Sequence, residues 1–181
     1  MPLLGAPLSA DHLRVLIPSD HIQARVAELG REIRAAYGDD PITCVGVLKG
    51  SFIFMADLVR AIGGDVRCDF LAVSSYHGGM RSSGVVRITE DLRAPVEGHH
   101  VLLVEDIVDT GLTLDYLQRL IGVRAPRSLR TCSLLDKPSR REVDVKPDFI
   151  GFSIPDEFVV GYGLDLGERF RNLPHIAVYS P

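Results

Sequence analysis

Val101-Leu102-Leu103-Val104-Glu105-Asp106-Ile107-Val108-Asp109-Thr110-Gly111-Leu112-Thr113-Leu114 decides the fold. Four apolar residues run directly into two adjacent carboxylates, a short loop follows, and helical periodicity begins at Leu114. An unbroken apolar run of this kind reads as a strand buried on both faces of a parallel sheet. Carboxylates at its C-terminal end lie where open α/β sheets hold their ligands. The loop adds a third carboxylate, two threonines and a glycine, and it leads into a helix N-terminus, a natural seat for phosphate. Acceptors for sugar hydroxyls or a metal thus stand beside donors for a phosphate, a combination suited to a phosphorylated ribose.

Working outward, strands and helices alternate. Ser19 is the expected N-cap of a helix carrying Ile22, Val26, Leu29 and Ile33 on one face and ending before Gly38. A strand is expected over Ile42 to Val47, then a helix over Phe52, Met55, Leu58, Val59 and Ile62, stopped by Gly63-Gly64. Further strands are expected at Phe70 to Val73, Val85 to Ile88, Leu129 to Leu135, Phe149 to Phe152 and Ile176 to Tyr179. This order implies an α/β fold, a mostly parallel sheet flanked by helices. The chain reads as a single domain over 1–181, with a core of about 10–135 and a smaller hood lobe of about 136–175 where the alternation is lost.

Composition agrees. A chain of 181 residues, 46% hydrophobic, can bury a sizeable core as one domain. A net charge of −4 argues against a nucleic-acid binder that works through phosphate contacts. Cys44, Cys68 and Cys132 are odd in number and set in apolar runs, so they read as small buried hydrophobes of a reducing compartment. The N-terminus lacks a basic n-region, and no stretch reaches the ~18 apolar residues of a membrane helix. The expectation is a cytoplasmic protein without membrane or nucleic-acid partners. Two nucleotide motifs fail: Gly79 and Gly84 have Walker-A spacing but are followed by Val85 and Val86. Gly161 and Gly163 begin a dinucleotide fingerprint whose third glycine is Leu166.

From about Leu48 to Val178 the chain resembles the hypoxanthine–guanine phosphoribosyltransferases of the bacterial kind. The resemblance rests on Leu48-Lys49-Gly50-Ser51, Ser74-Ser75-Tyr76, the opening motif and Asp136-Lys137-Pro138. It extends through Ile154-Pro155-Asp156-Glu157-Phe158-Val159-Val160-Gly161-Tyr162-Gly163-Leu164-Asp165 and Arg171-Asn172-Leu173-Pro174. The opening motif alone indicates the wider class; Glu105 with Asp109, and the Phe158-to-Asp165 stretch, narrow it to the 6-oxopurine branch. The resemblance implies a type I phosphoribosyltransferase fold and purine salvage. Hypoxanthine, with guanine as the expected second base, would react with phosphoribosyl pyrophosphate to give the nucleoside monophosphate and pyrophosphate, with Mg2+ as cofactor. A homodimer or homotetramer is implied as well.

The resemblance also assigns roles. Glu105 and Asp106 would accept from the ribose hydroxyls, directly or through water on the metal; the competing reading is two solvated loop acids. Asp109 would be the general base for the purine N7 proton, against a reading as a helix cap. Asp109, Thr110, Gly111, Leu112 and Thr113 would cradle the 5′-phosphate. Lys49 and Gly50 would form the pyrophosphate loop, where the family carries a non-proline cis peptide before the lysine; alternatively Lys49 is a surface lysine. Ser75 and Tyr76 would begin a lid, although His77-Gly78-Gly79-Met80-Arg81-Ser82-Ser83 departs from the family's pattern. Lys137 would donate to the purine O6, Phe158 would stack on the base, and Val159 would read it through its backbone. Simple solvation of Lys137 and core packing of Phe158 are the alternatives. Beside the metal role of Glu105 and Asp106, Asp165 would bind a second magnesium through pyrophosphate, and Arg171 would meet pyrophosphate oxygens; either could instead be an ordinary surface charge. Leu166 and Gly167 replace the aromatic-bearing sequence usual after that aspartate.

Rival readings are a regulator on the same fold or a sister transferase for xanthine or another base. A repressor needs a DNA-binding domain for which 181 residues leave no room, and an RNA attenuator needs a basic face.

Overall fold

A computed structural model describes residues 12–75 and 86–180. In chain order the elements are β1 (Leu13–Ile17), α1 (Ser19–Tyr37), β2 (Ile42–Leu48), α2 (Phe52–Ile62), β3 (Val66–Ser75) and β4 (Val86–Glu90). They continue with β5 (His100–Val108), α3 (Leu112–Gly122), β6 (Ser128–Asp136), β7 (Phe149–Ser153), β8 (Val159–Val160) and β9 (Ile176–Tyr179). The main sheet has the order β4-β3-β2-β5-β6-β7, parallel throughout except for the antiparallel edge strand β4. The mostly parallel sheet flanked by helices is therefore as expected.

Side chains alternate across a strand, and here both faces are apolar because both are covered. Cys44 on β2 and Leu102 and Val104 on β5 pack with Ile22, Val26, Leu29, Ile33, Phe54 and Leu58 of α1 and α2. Their neighbours Val45, Val47, Val101 and Leu103 pack on the other face with Leu114, Leu117 and Ile121 of α3. Two-sided burial is what turned the opening stretch into a continuous apolar run. No helix among the described residues is long and apolar enough to cross a membrane.

A second sheet, β1-β9-β8, is antiparallel. It places Leu13–Ile17 beside Ile176–Tyr179, so a strand from the start of the chain shares a sheet with the C-terminal lobe. Phe149–Ser153, inside the expected hood interval, is instead the edge of the main sheet, paired with β6. Neither β1 nor β8 was expected: β8 spans two residues, and β1 is recruited by a partner more than 150 residues away in sequence.

Several boundaries differ. Pro18, extended at φ −64° and ψ 155°, is the N-cap of α1, and its carbonyl accepts from Ile22 N–H; Ser19 is the first helical residue. Helix α3 starts at Leu112, because Gly111 at φ 86° turns the chain directly into it. Strand β3 extends well beyond Phe70–Val73, its polar positions Arg67 and Asp69 paired to Thr43 and Val45 of β2. Val85 and Tyr76 lie outside the described residues. Cys44 and Cys132 are buried free thiols, but Cys68 is exposed, contrary to its expected burial: it shares the face of its partner Cys44 but lies on the part of β3 that β4 does not flank.

Gly30 fixes the crossing of α1 over α2. A Cβ there would stand 2.5 Å from the Ala61 carbonyl carbon, and backbone cannot move aside as a side-chain tip can. Gly30→Ala is expected to destabilise the fold by roughly 1–3 kcal/mol, the scale of overpacking a tight core. Thermal denaturation measures it; a melting temperature equal to that of the unsubstituted protein would contradict the close crossing.

Candidate active site

At the C-terminal ends of β2, β3 and β5 the sheet opens into a cavity of about 440 Å³. Its walls include Lys49, Gly50, Glu105, Asp106, Asp109, Thr110, Gly111, Thr113, Asp165 and Arg171. Strands β2 and β5 are direct neighbours, Gly46 lying opposite Val104, so the turns that follow them converge on one place.

Glu105 and Asp106 still belong to β5, one residue pair further into the strand than a loop position. Glu105 is only 5% exposed, which removes the reading as a solvated loop acid. Burial, reinforced by the neighbouring Asp106, pushes its carboxyl well above the usual range. Asp106 is pushed up to about 6, chiefly by burial; hydrogen bonding from the Ile107 N–H and the nearby Arg171 oppose the rise, and Asp165 adds to it. Gly50 is required here: a Cβ on it would overlap the Asp106 carboxylate. The Leu48–Lys49 peptide that delivers Gly50 is cis, as the resemblance implied. Gly163, at φ 104°, in turn packs on the Gly50 carbonyl, where any side chain would collide.

Asp109 does not cap α3; Gly111 occupies the cap position. The Asp109 carboxylate accepts from Arg140 Nε at 3.3 Å, and Arg140 also stands 3.6 Å from Asp156. Thr110 Oγ1 accepts from Leu112 N–H at 3.4 Å. Asp165 and Arg171 pair at 2.8 Å, and the second Asp165 oxygen accepts from Glu168 N–H. Arg171 is only 18% exposed, donates to the Gly163 carbonyl and has an Nε without a partner among the described residues, so it is no ordinary surface charge. Lys49 borders the cavity but is exposed and pairs with Glu168 at 3.1 Å.

Among the described residues, Leu112, Lys137, Phe158 and Val159 do not border this cavity. Lys137 is buried, which removes the solvated alternative, and its Nζ lies 3.7 Å from Asp156. Phe158 is 53% exposed, so it is not core packing, while Val159 is buried in β8. Arg140, bridging Asp109 and Asp156, links the Lys137–Asp156 pair to the cavity. Ser75 ends β3. Arg140, Arg141, Asp156 and Glu168 were not singled out from sequence. The basic run Lys137-Pro138-Ser139-Arg140-Arg141 after a strand end was a readable signal for the first two.

Among the described residues no three acidic, histidine or cysteine groups converge into an ion cage. Yet the cavity sets two cations, Lys49 and Arg171, against four carboxylates, Glu105, Asp106, Asp109 and Asp165. A polyphosphate would meet net repulsion unless it arrived with a divalent cation. An all-oxygen, incomplete donor set fits Mg2+, which keeps waters and takes phosphate oxygens in preference to a protein cage.

The sequence matches the phosphoribosyl transferase domain family over residues 18–166. It is 51% identical over 166 residues to the hypoxanthine phosphoribosyltransferase of Salmonella typhimurium, covering 91% of this chain and 93% of that one. It is also 51% identical over 168 residues to the hypoxanthine-guanine phosphoribosyltransferase of Bacillus subtilis, covering 93% of each. Among solved structures, a hypoxanthine phosphoribosyltransferase from Staphylococcus aureus superposes with a TM-score of 0.91 at 46% identity, over 94% of both chains. A hypoxanthine-guanine phosphoribosyltransferase from Bacillus anthracis gives 0.89 at 44%, over 92% of this chain and 98% of that one.

The raised carboxyl of Asp106 has a stability consequence. Its folded-state value, about 6, lies above its ordinary 3.8, so the fold favours the protonated form. The stability that this supplies is complete below pH 3.8 and is lost as pH rises through 6. Asp106→Asn cannot ionise and can still accept from Ile107 N–H. Its melting temperature should match the unsubstituted protein below pH 3.8, exceed it increasingly as pH rises to about 6, and hold that excess at pH 7. Melting curves across that range check it, and a pH-independent difference would contradict the burial argument.

Proposed function

The chain belongs to the phosphoribosyl transferase family, and from that premise we propose its reaction and the residues that perform it. It is a purine-salvage transferase: hypoxanthine, with guanine as second base, and phosphoribosyl pyrophosphate give the nucleoside monophosphate and pyrophosphate. The observation that carries this reading is one cavity holding the buried Glu105 beside the half-buried Asp106, Asp109, Thr110, Gly111 and Thr113 of the following turn, and the Lys49-Gly50 turn with Arg171.

In this reading the 5′-phosphate sits on the N–H groups and hydroxyls of Asp109 to Thr113 at the start of α3. Glu105 and Asp106 accept from the ribose diol; an ionised carboxylate accepts only, which suits two hydroxyl donors. Pyrophosphate lies toward Gly50, Lys49 and Arg171, whose buried Nε supplies a donor without a partner among the described residues. Mg2+, held by Glu105, Asp106 and Asp165 through water and substrate oxygens, would neutralise charge developing on the leaving group. Asp165 already serves Arg171 and Glu168, so it would ligate through its remaining lone pairs.

The base enters over the Lys137 flank. N9 forms a bond to the anomeric carbon as the C–O bond to pyrophosphate breaks, its electron pair leaving with that oxygen. The N7 proton passes to Asp109, keeping the purine neutral. Phe158, half-exposed, offers a face for stacking, and Val159 presents backbone groups. Lys137 is donor-only and selects O6 over an amino group. Ser75 and Tyr76 begin a lid over the reacting centre. A homodimer or homotetramer in the cytoplasm completes the reading, tested for assembly by light scattering.

Two substitutions test the chemistry. Asp109→Asn should lower kcat by about 10²–10⁴, the usual scale for losing a general base, with little change in phosphoribosyl pyrophosphate binding. A near-normal kcat would remove Asp109 from the proton transfer. Lys137→Ala should cost 6-oxopurines about 1–3 kcal/mol in kcat/KM, the scale of an unmet buried polar group. Adenine should lose little, so the ratio between them narrows. Equal losses for hypoxanthine, guanine and adenine would make Lys137 structural.

A further inference from the structure

Between β6 and β7 the chain does not take the shortest path; residues 137–148 fold back across the turn that follows β5. Three consecutive carbonyls of that turn are engaged by this segment. Val108 O accepts from Lys137 N–H at 2.9 Å, Asp109 O from Arg141 Nη1 at 2.6 Å, and Thr110 O from Glu142 N–H at 2.9 Å. In a trans peptide the C=O of one residue and the N–H of the next point in opposite directions. Carbonyls drawn toward this segment therefore turn the N–H groups of Asp109, Thr110 and Gly111 toward the cavity. Phosphate recognition by backbone depends on that orientation.

Arg141 is the residue that ties this together. Its side chain is 15% exposed, and its second terminal nitrogen pairs with the Asp136 carboxylate, itself 4% exposed at the end of β6. One planar guanidinium thus bonds the end of a core strand and the phosphate turn at once, which a fork can do and a point charge cannot. The segment also sits tightly on the turn: a Cβ at Gly111 would lie 2.7 Å from Val145 Cγ2 and 2.8 Å from Arg141 Cδ.

We infer that residues 137–145 form a strap that fixes the peptide orientation of the phosphate turn, with Arg141 as its positioning residue. This rests on the reading of Asp109 to Thr113 as the 5′-phosphate seat. The strap begins at Lys137, so the purine-reading lysine and the phosphate turn move as one body. Loosening Arg141 acts on the sugar-phosphate substrate and leaves discrimination between hypoxanthine and guanine unchanged.

Calorimetric titration of ribose 5-phosphate into the full-length protein tests this, with Arg141→Lys as the principal variant. Lysine can keep the ion pair with Asp136 but cannot also reach the Asp109 carbonyl. The expected result is a Kd about tenfold weaker, the scale of one lost charge-assisted hydrogen bond. The KM for phosphoribosyl pyrophosphate should rise in parallel while the hypoxanthine-to-guanine ratio holds. If Arg141→Lys does not fold, Asp136→Asn frees the guanidinium from its anchor with both side chains retained in size, and a weaker Kd is expected there too. A variant that folds and binds ribose 5-phosphate as tightly as the unsubstituted protein would overturn the inference, even if its melting temperature fell. Failure of the unsubstituted protein itself to bind ribose 5-phosphate would instead overturn the phosphate-seat reading.

Discussion

The desolvation of two adjacent carboxylates at the end of the central strand, Glu105 buried and Asp106 half-buried, is the constraint on which the rest depends. Glu105 and Asp106 sit where desolvation disfavours their charge, so the fold spends stability to hold them there. Such a cost is met only by what binds. Around the pair, carboxylates outnumber cations, although the proposed substrate is itself strongly anionic. In the proposed reading, a diol donating to these acids and a divalent cation that cancels the repulsion would resolve both conflicts together.

The architecture serves this pair. Strands covered by helices on both faces have no freedom of register, so β2 and β5 end side by side and their turns meet. Gly50 comes close enough to Asp106 that no side chain fits between them, and Gly163 of the small lobe closes on Gly50. The lobe is therefore packed onto the reacting end of the sheet, its own three strands drawn from both ends of the chain. Arg140 spans Asp109 and Asp156, and Lys137 stands beside that same Asp156.

Much of this was legible because the signals are local. The run Val101 to Val104 is apolar at every position since both of its faces are buried, and Gly50, Asp109 and Gly111 stand beside recognisable neighbours in sequence. Long-range facts were not legible. Strand β1 forms only because β9 offers it an edge, and no local pattern in Leu13–Ile17 announces that partner. The ties of Arg141 to Asp136 and Asp109 depend on how a loop folds back in space. Exposure also escaped the sequence: Cys68 looks like a core residue by its type, and Phe158 could have been one until its half-exposed position was known.

The central claim is that Glu105 and Asp106 bind the sugar diol and a divalent cation as one unit. Titrating phosphoribosyl pyrophosphate calorimetrically, with Mg2+ and then with chelator, tests it most directly. The account predicts tight binding with Mg2+ and loss of at least about tenfold with chelator, with Mg2+ alone binding weakly because the described residues form no cage for it. In Glu105→Gln with Asp106→Asn the Mg2+ dependence should largely disappear along with the affinity. Equal affinity with and without Mg2+ in the unsubstituted protein would contradict the account.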